Sequence, residues 1–367
     1  MLSTSMAGMG LRSAAKHAAA AYLASSLGAA ELCAQIDSNF EVHSTSETAA
    51  ETLFNSSVIA GMQISSNNPE ERRDQKSLSQ RIDKSIFEEL HQRGTACDQA
   101  RLLAASAPHA GAWLTTPATK ALRRRLTSGE FSAAAALRIG ARVLPSDTWC
   151  PKCDRVLDSR ATHAVTCAAG GHRTVRHNLL RDVVFFMLHS LGVDAEKEAA
   201  HLLASDPNRR PGDIVVRGWG DGVPYAMDFA VTCPLQCDAL LESSCVQLAS
   251  AAAYEEHKRQ DRDTAERCAH HGLILKPIVV ETLGGWGLEA QTFFKQLAKL
   301  KATRTGTTES AATEYIYGHL ALTLQRANAR AVLARFPDVS NSNHPSALAA
   351  TSRSEAALLA TTAAGIG

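Results

Sequence analysis

The sequence predicts an α/β fold that carries a small zinc-binding segment and follows a mainly helical connector. Four cysteine and histidine residues fall within residues 150–167. After them, helix-like and strand-like segments follow in the order helix, strand, strand, helix, strand, which is typical of an α/β core. Long alanine-rich segments with helical patterns come before them. The chain of 367 residues is long enough for two or three domains.

The bulk composition limits the classes of function. A net charge of +1 gives no overall attraction to nucleic acid, so any DNA contact depends on local clusters of arginine and lysine. The longest uncharged apolar segment, residues 18–30, is too short to cross a bilayer. Nine cysteines, an odd number, favour reduced thiols in an intracellular protein. The first thirty residues form an ordinary alanine helix in the preferred interpretation, and a mitochondrial presequence in the alternative.

The N-terminal half is predicted to be mainly helical. Residues 8–36 form one helix that a polar stretch follows, and residues 65–76 form a loop because polar, helix-breaking residues replace any apolar period there. Between residues 78 and 144, helical patterns are interrupted at residues 107–111 and 115–117. This part of the chain is therefore interpreted as a helical connector.

The C-terminal half is predicted to alternate helices and strands, with turn-forming residues between the first two strands and a stop signal at Gly192. The predicted elements are a helix over residues 174–191, strands over 213–217 and 225–233, a helix over 240–269, a strand over 274–281 and a helix over 314–336. The predicted segments are 1–77 (helical and loop), 78–149 (connector), 150–171 (zinc knuckle), 172–300 (α/β core), 301–336 (helix) and 337–367 (disordered tail).

Cys150, Cys153, His163 and Cys167 offer three thiolates and one imidazole, a full tetrahedral set for Zn(II). The short spacing of the first two lets one turn present two sulfurs to one ion. Because four protein ligands leave no open position, this zinc is expected to be structural. His172 remains an alternative to His163, and buried cysteines without a metal remain the alternative to the whole site.

Basic side chains follow the knuckle on the next helix. Arg173, Arg176, His177 and Arg181 stand three or four residues apart and so partly share one surface near the helix start. Arginines beside a helix N-terminus favour phosphate, and we predict that these four residues contact the DNA backbone. A solvated helix surface without a ligand is the alternative.

Two acids lie on the predicted hairpin. Asp213 opens its first strand, and Asp228 stands inside an apolar run of its second strand, where a carboxylate is costly unless it is paired or bound to metal. Together they are candidates to hold Mg(II), which polarises a phosphodiester and activates water. Lys258, one turn from Tyr254 on the next helix, is predicted to stabilise the developing charge. A turn cap at Asp213 and an edge position for Asp228 are the alternatives.

The order of these motifs between Cys150 and Gly287 resembles the carboxy-terminal region of non-LTR retrotransposon polyproteins that carry a restriction-like endonuclease. The motifs are the cysteine and histidine set, Arg-x-x-Arg-His-Asn at residues 173–178, Pro-x-Asp at 211–213, Asp-x-x-Val-Thr at 228–232 and Tyr-x-x-x-Lys at 254–258. In that family a zinc knuckle precedes a PD-(D/E)xK-type nuclease. The nuclease nicks target DNA, and the attached reverse transcriptase primes on the new end.

The resemblance implies a restriction-endonuclease-like core, a nuclear location, and DNA, a reverse transcriptase and element RNA as partners, with no membrane. It assigns Asp213 and Asp228 to a catalytic Mg(II) and Lys258 to the nuclease lysine. Ala230 stands where the simplest motif has lysine, and Gly212 interrupts the Pro-Asp pair. No pair of adjacent aspartates typical of a polymerase occurs, so the chain resembles a fragment without the reverse transcriptase.

These observations lead to a hypothesis and two alternatives. The chain is expected to be a DNA-binding endonuclease that nicks DNA with Mg(II). The first alternative is a nucleic-acid-binding module whose acids have lost catalytic geometry. The second is a relic that folds around zinc and binds nothing specifically. A cytoplasmic location also stays open.

Overall fold

The computed structural model describes residues 2–37, 44–65, 73–119, 124–204, 206–219 and 222–336. The chain forms two compact units, Met1–Thr95 and Ala96–Gly367. The sequence instead set its first boundaries after residues 77 and 149. The disordered tail that was predicted over residues 337–367 lies outside the described residues.

The first unit is helical. It contains α1 (Ala14–Ile36), α2 (Ser44–Ser56) and α3 (Gln75–Arg93). Ser13 caps the start of α1 by accepting a hydrogen bond from Lys16 N, so this helix begins six residues after its predicted start.

The second unit mixes helices and strands. Its elements in chain order are α4 (Ala96–Ala105), α5 (Ala112–Thr115), α6 (Ser128–Ile139), β1 (Thr148–Trp149), β2 (Val156–Leu157), α7 (Thr162–Thr166), α8 (His172–Ser190), β3 (Asp194–Lys197), β4 (Ile214–Arg217), β5 (Tyr225–Thr232), α9 (Cys237–Ser243), α10 (Ala249–Gln260), α11 (Thr264–His270), β6 (Ile274–Glu281), α12 (Leu288–Thr305) and α13 (Glu309–Leu333). The mixed helical and strand content agrees with the fold class predicted from the sequence.

A four-stranded sheet forms the centre of this unit, in the order β3-β4-β5-β6. The predicted hairpin is confirmed, because β4 and β5 pair antiparallel. β5 and β6 pair in parallel over eight residues, with α9, α10 and α11 in the connection. Apolar side chains of α8, α12 and α13 pack on one side of the sheet around Met227 and Ile278, which are fully buried. The packed side of the sheet is therefore the core of this unit.

Two predicted helices differ from the structure. The helix predicted over residues 240–269 is three helices, because Leu248, Arg262 and Asp263 adopt the left-handed backbone conformation, which a continuous α-helix excludes. The last helix begins earlier than predicted, at Glu309, where the Thr308 side chain accepts a hydrogen bond from Ala311 N. No helix in the described residues has the length and apolar character needed to cross a membrane.

Candidate zinc centre and acidic cleft

Cys150, Cys153, His163 and Cys167 meet at one point of the second unit. Their ligand atoms all lie within 4.8 Å of one another. Cys153 Sγ is 3.3 Å from His163 Nε2 and 3.6 Å from Cys167 Sγ. Two sulfurs bound tetrahedrally to one zinc at about 2.3 Å lie about 3.8 Å apart, so the donor set and its spacing fit a structural zinc. The predicted cluster is confirmed, and it can hold a metal such as zinc.

Local backbone contacts bring the four side chains together. The β1–β2 hairpin carries Cys150 and Cys153, and its closing bond runs from Cys150 N to Arg155 O at 2.9 Å. Asp158 then caps α7 by accepting hydrogen bonds from Thr162 N and His163 N. The cap orients the short helix so that it presents His163 to the sulfurs.

The electrostatics of the cluster favour a thiolate at Cys150, whereas burial and the neighbouring thiols raise the pKa of Cys153. Although burial acts to raise it, hydrogen bonds from Lys152 N and from the His163 side chain lower the pKa of Cys150 to about 6. His172, the alternative ligand, lies outside the cluster. Burial and the nearby Arg335 lower the pKa of His172 to about 4. No disulfide joins any of the nine cysteines, all of which the structure describes.

A second feature is an open cleft of about 560 Å³ beside residues 228–231 of β5, beyond the part of this strand that pairs with β4. It is called the acidic cleft after its two aspartates. Side chains from α8, β5 and α10 line it, together with the residue that precedes β4. The lining residues are Ala168, Arg173, Thr174, Arg176, His177, Asp213, Asp228, Phe229, Ala230, Val231, Tyr254 and Lys258. The three residues predicted to be catalytic, Asp213, Asp228 and Lys258, thus come together in one cleft.

Asp213 is held by β5 and α8. Its Oδ2 accepts hydrogen bonds from Phe229 N at 2.7 Å and from His177 Nε2 at 3.1 Å. His177 Nε2 also lies 3.1 Å from Phe229 O, a pure acceptor, so this nitrogen carries the proton. Although burial acts to raise it, the bond from His177 and the Phe229 amide lower the pKa of Asp213.

Gly212, between Pro211 and Asp213, lies where the chain passes very close to β5. A Cβ at this position would lie 2.7 Å from Met227 O, so a larger residue would push the chain away from β5. The next residue uses this close approach, because Asp213 N donates to Met227 O at 2.8 Å. Gly212 therefore allows the Asp213 carboxylate to reach the cleft.

Asp228 and Lys258 form an ion pair inside the cleft, with Nζ 2.8 Å from Oδ2. Although burial acts to lower it, Asp228 raises the pKa of Lys258, which therefore stays charged. Burial raises the pKa of Asp228, and Lys258 opposes that shift. Lys258 also lies 5.9 Å from the centre of the Tyr254 ring, as expected for two residues one helical turn apart. The cation of the cleft therefore comes from α10, while position 230 of β5, which also lines the cleft, is an alanine.

The residues predicted to grip DNA divide into different environments. Arg173 is exposed and lines the cleft. His177 lines the cleft, where its Nε2 donates to Asp213. Arg181 is paired with Asp182 and Glu198 at 3.0 and 2.7 Å. Of the four, Arg173 is the one whose position fits the predicted contact best.

Arg176 requires a correction, because it is buried. Its side chain is 4% exposed, and Nη1 donates to Val165 O at 2.9 Å and to Asn328 Oδ1 at 2.7 Å. Both bonds are made by Nη1, so the side chain joins α7, α8 and α13 and Arg176 is not an exposed phosphate contact, although it lines the inner wall of the cleft. Its position one turn before the buried Leu180 was the signal available in the sequence.

Further acids stay away from the cleft. Glu281 is buried at the end of β6, where Ser250 Oγ donates to it at 2.9 Å. Glu255 is buried against the start of α12, and neither residue lines the cleft. Among the described residues, the cysteine and histidine set is the one group of three or more potential ligands that converges. A cation in the cleft could therefore be held by two carboxylates, those of Asp213 and Asp228.

The structure thus defines a mixed α/β protein with a zinc-type cysteine and histidine centre and an acidic cleft. Comparison with known protein families found no matching family model, and comparison with curated proteins found no match.

Proposed function

We propose that this chain is a zinc-stabilised DNA-binding module with a restriction-like endonuclease core that nicks DNA. The main observation behind this proposal is that Asp213, Asp228 and Lys258 line one open cleft, although they come from three separate segments of the chain. Two acids on neighbouring strand segments and a lysine on an adjacent helix are the groups that phosphodiester hydrolysis uses. The order of motifs, which resembles the nuclease region of non-LTR retrotransposons, supports the same reading.

The hydrogen bonds of the carboxylates support a role for the cleft in holding a hard cation. Each carboxylate uses Oδ2 for protein contacts, and its Oδ1 has no hydrogen bond within the described residues. Mg²⁺ bound by Asp213 and Asp228 would polarise the phosphodiester and activate water. The chain's own groups complete the site: Lys258 offsets charge that develops on phosphate oxygens, and Arg173 holds the strand at the rim.

Cleavage of supercoiled plasmid by the full chain with Mg²⁺ tests the proposal. We expect the wild type to convert plasmid to the nicked form. Asp228→Asn should reduce the rate by about 100-fold or more, because it removes a charged ligand and leaves Lys258 without its partner. Asp238→Asn, an exposed acid in the same unit, is the matched control and should nick normally. Zinc content is measured on every preparation. A folded, zinc-loaded wild type that does not nick plasmid would contradict the proposal that the chain is an endonuclease.

DNA binding without cleavage is the second candidate. The observation that favours it is the ion pair of Lys258 with Asp228, which occupies an oxygen that a cation would otherwise contact. Under this alternative, the wild type retains DNA in a salt-dependent manner but shows no nicking with Mg²⁺. The same plasmid assay, run beside a DNA-binding titration, separates the two functions.

A further inference from the structure

Two cations outside the acidic cleft converge on one aromatic ring. Tyr315 lies on α13, and Lys301 Nζ is 4.3 Å from the centre of its ring. The guanidinium carbon of Arg124 is 5.1 Å from the same centre. His319, one turn after Tyr315, accepts a hydrogen bond from Arg124 Nε at 2.9 Å. These four residues are called the Tyr315 cluster.

The cluster holds positive charge without an acid to neutralise it. In the described part of the chain, no carboxylate lies within 4.0 Å of Arg124 or Lys301. Two other partly buried cations of this unit do have such partners, since Lys276 pairs with Glu289 and Arg330 with Glu130, each at 2.8 Å. The buried Arg176 has no carboxylate partner but is held by a carbonyl and an amide oxygen. Two unneutralised like charges held near each other raise the free energy of the folded chain unless an anion joins them.

The neighbouring pKa shifts agree with this geometry. Burial and then Arg124 lower the pKa of Lys301. Burial, followed by Arg124 and Lys301, lowers the pKa of His319 to about 3. His319 is therefore neutral and acts as a hydrogen-bond acceptor that fixes Arg124. The cluster places a guanidinium, which His319 fixes through Nε and Nη2, beside an ammonium, and these two cations suit a phosphate oxygen as acceptor.

A cleft of about 380 Å³ adjoins Arg124. Arg125 adds a second, exposed guanidinium to its wall, and Phe131 contributes a ring that is 46% exposed. Ser128 and Ser132 add hydroxyl groups on the same helix, α6. Cations beside an exposed ring and hydroxyls suit a phosphate that is attached to a nucleoside.

We propose that the Tyr315 cluster and its adjoining cleft bind a backbone phosphate of a DNA strand, at a place separate from the acidic cleft. The identity of the ligand rests on the proposed function, since that function makes DNA the substrate. This second contact would hold the duplex while the acidic cleft acts on it. It also supplies the local positive charge that a net charge of +1 does not provide.

The test compares Lys301→Gln with Lys299→Gln in the full chain. Lys299 is an exposed lysine of the same helix that does not contact Tyr315, so both variants lose one charge from α12. Affinity for a 20-base-pair duplex is measured by fluorescence anisotropy over a range of salt concentrations. We expect K301Q to weaken binding by about 3–10-fold near 0.1 M salt and to reduce the salt slope by about 0.9, as for one lost phosphate contact.

Thermal unfolding in phosphate-free buffer distinguishes a lost contact from a damaged fold. We expect K301Q to melt at or above the wild-type temperature, because the variant relieves repulsion from Arg124, while its DNA affinity falls. Equal affinity and equal salt slope for K301Q and K299Q would overturn the inference. A wild type without DNA affinity would overturn it as well. A wild type that binds DNA through Lys301 but does not nick it would support the second phosphate contact and contradict the proposed nuclease activity.

A further arm separates a DNA strand from a small phosphate ester. Adenosine monophosphate and inorganic phosphate are titrated into wild type and K301Q while the melting temperature is recorded. If these small anions stabilise the wild type more than K301Q, and K301Q keeps normal duplex affinity, the cluster serves a free phosphate ester and the DNA proposal is overturned.

Discussion

Arg173 and Arg176 are three residues apart on α8, yet their side chains lie in opposite environments. Arg173 is exposed at the rim of the acidic cleft, whereas Arg176 is buried between α7 and α13. Both were predicted to contact DNA, because spacing alone places them near one surface. The structure separates them, because the apolar stripe of α8 continues through position 176 to Leu180 and Val184.

Substitution of these arginines by methionine should give opposite effects. Arg176→Met leaves Val165 O and Asn328 Oδ1 without their donor, and we expect it to lower the free energy of unfolding by about 2–4 kcal/mol. Arg173→Met should leave stability within about 0.5 kcal/mol of the wild type and weaken DNA binding. Chemical denaturation and a DNA titration measure the two quantities. Equal loss of stability in both variants would contradict the assignment.

His177 acts on the cleft through Asp213, which makes it a positioning residue. His177→Ala removes the donor to Asp213 Oδ2, so we expect the nicking rate to fall by about 10–100-fold and the Mg²⁺ concentration required to rise. Glutamine can place an N–H near the same oxygen, and His177→Gln should recover part of the activity. The readout is nicking rate against Mg²⁺ concentration. Identical Mg²⁺ curves for wild type and H177A would argue against positioning.

At the scale of elements, the zinc knuckle is packed into the second unit. Cys150, Cys167 and Leu157 share an apolar cluster with Ala329 and Val332 of α13 and with α6. The knuckle has two strands of two residues each and a helix of five residues, too little structure to be stable alone. The α13 surface therefore stabilises it, and a metal held by the four ligands would add to that stability.

Removal of zinc should destabilise the whole second unit. We expect a chelator to lower the melting temperature by about 10 °C or more, and added zinc to restore it, because α13 loses the surface that it packs against. Cys167→Ser should show the low melting temperature without chelator, while Cys245→Ser, an exposed thiol, should behave as wild type. Zinc content per chain is measured in parallel. A C167S variant with full zinc and normal melting would contradict the ligand set.

The sequence predicted elements and site residues best where the signal is local. The four zinc ligands stand within 18 residues, and the strands β4, β5 and β6 carry apolar runs, so all were predictable. β3 was missed because its residues, Asp-Ala-Glu-Lys, have no apolar alternation and are recognised only through pairing with β4. The role of Gly212 was missed because its constraint comes from Met227 O, across the sheet.

At the scale of the whole molecule, stability should depend on pH through Glu281. This carboxyl is 1% exposed, and its Oε2 has no hydrogen-bond partner in the described residues. Burial raises the pKa of Glu281 to about 7, above its ordinary value of 4.5, although Ser250 opposes the shift. The folded chain therefore holds a proton that the unfolded chain releases, so stability is lost as the pH rises from 4.5 towards 7.

Glu281→Gln removes this titration while keeping an acceptor for Ser250. We expect the variant to be more stable than wild type by about 1–3 kcal/mol at pH 8, and the difference to vanish near pH 4.5. Unfolding by urea at several pH values measures it. Glu266→Gln, an acid whose side chain is 73% exposed, serves as the control and should show no such dependence. A stability difference that is constant with pH would contradict the buried proton.

The zinc knuckle and the α13 surface against which it packs are far apart in the chain, and this separation sets an order of events during synthesis. The four ligands have left the ribosome well before Ala329 and Val332 are made. At translation rates of about 5–20 residues per second, the interval is roughly 10–30 s. During that time a metal bound by the four ligands would be what organises the knuckle, and α13 would pack against it only afterwards. We therefore expect that zinc present during synthesis gives α13 a formed surface to pack against.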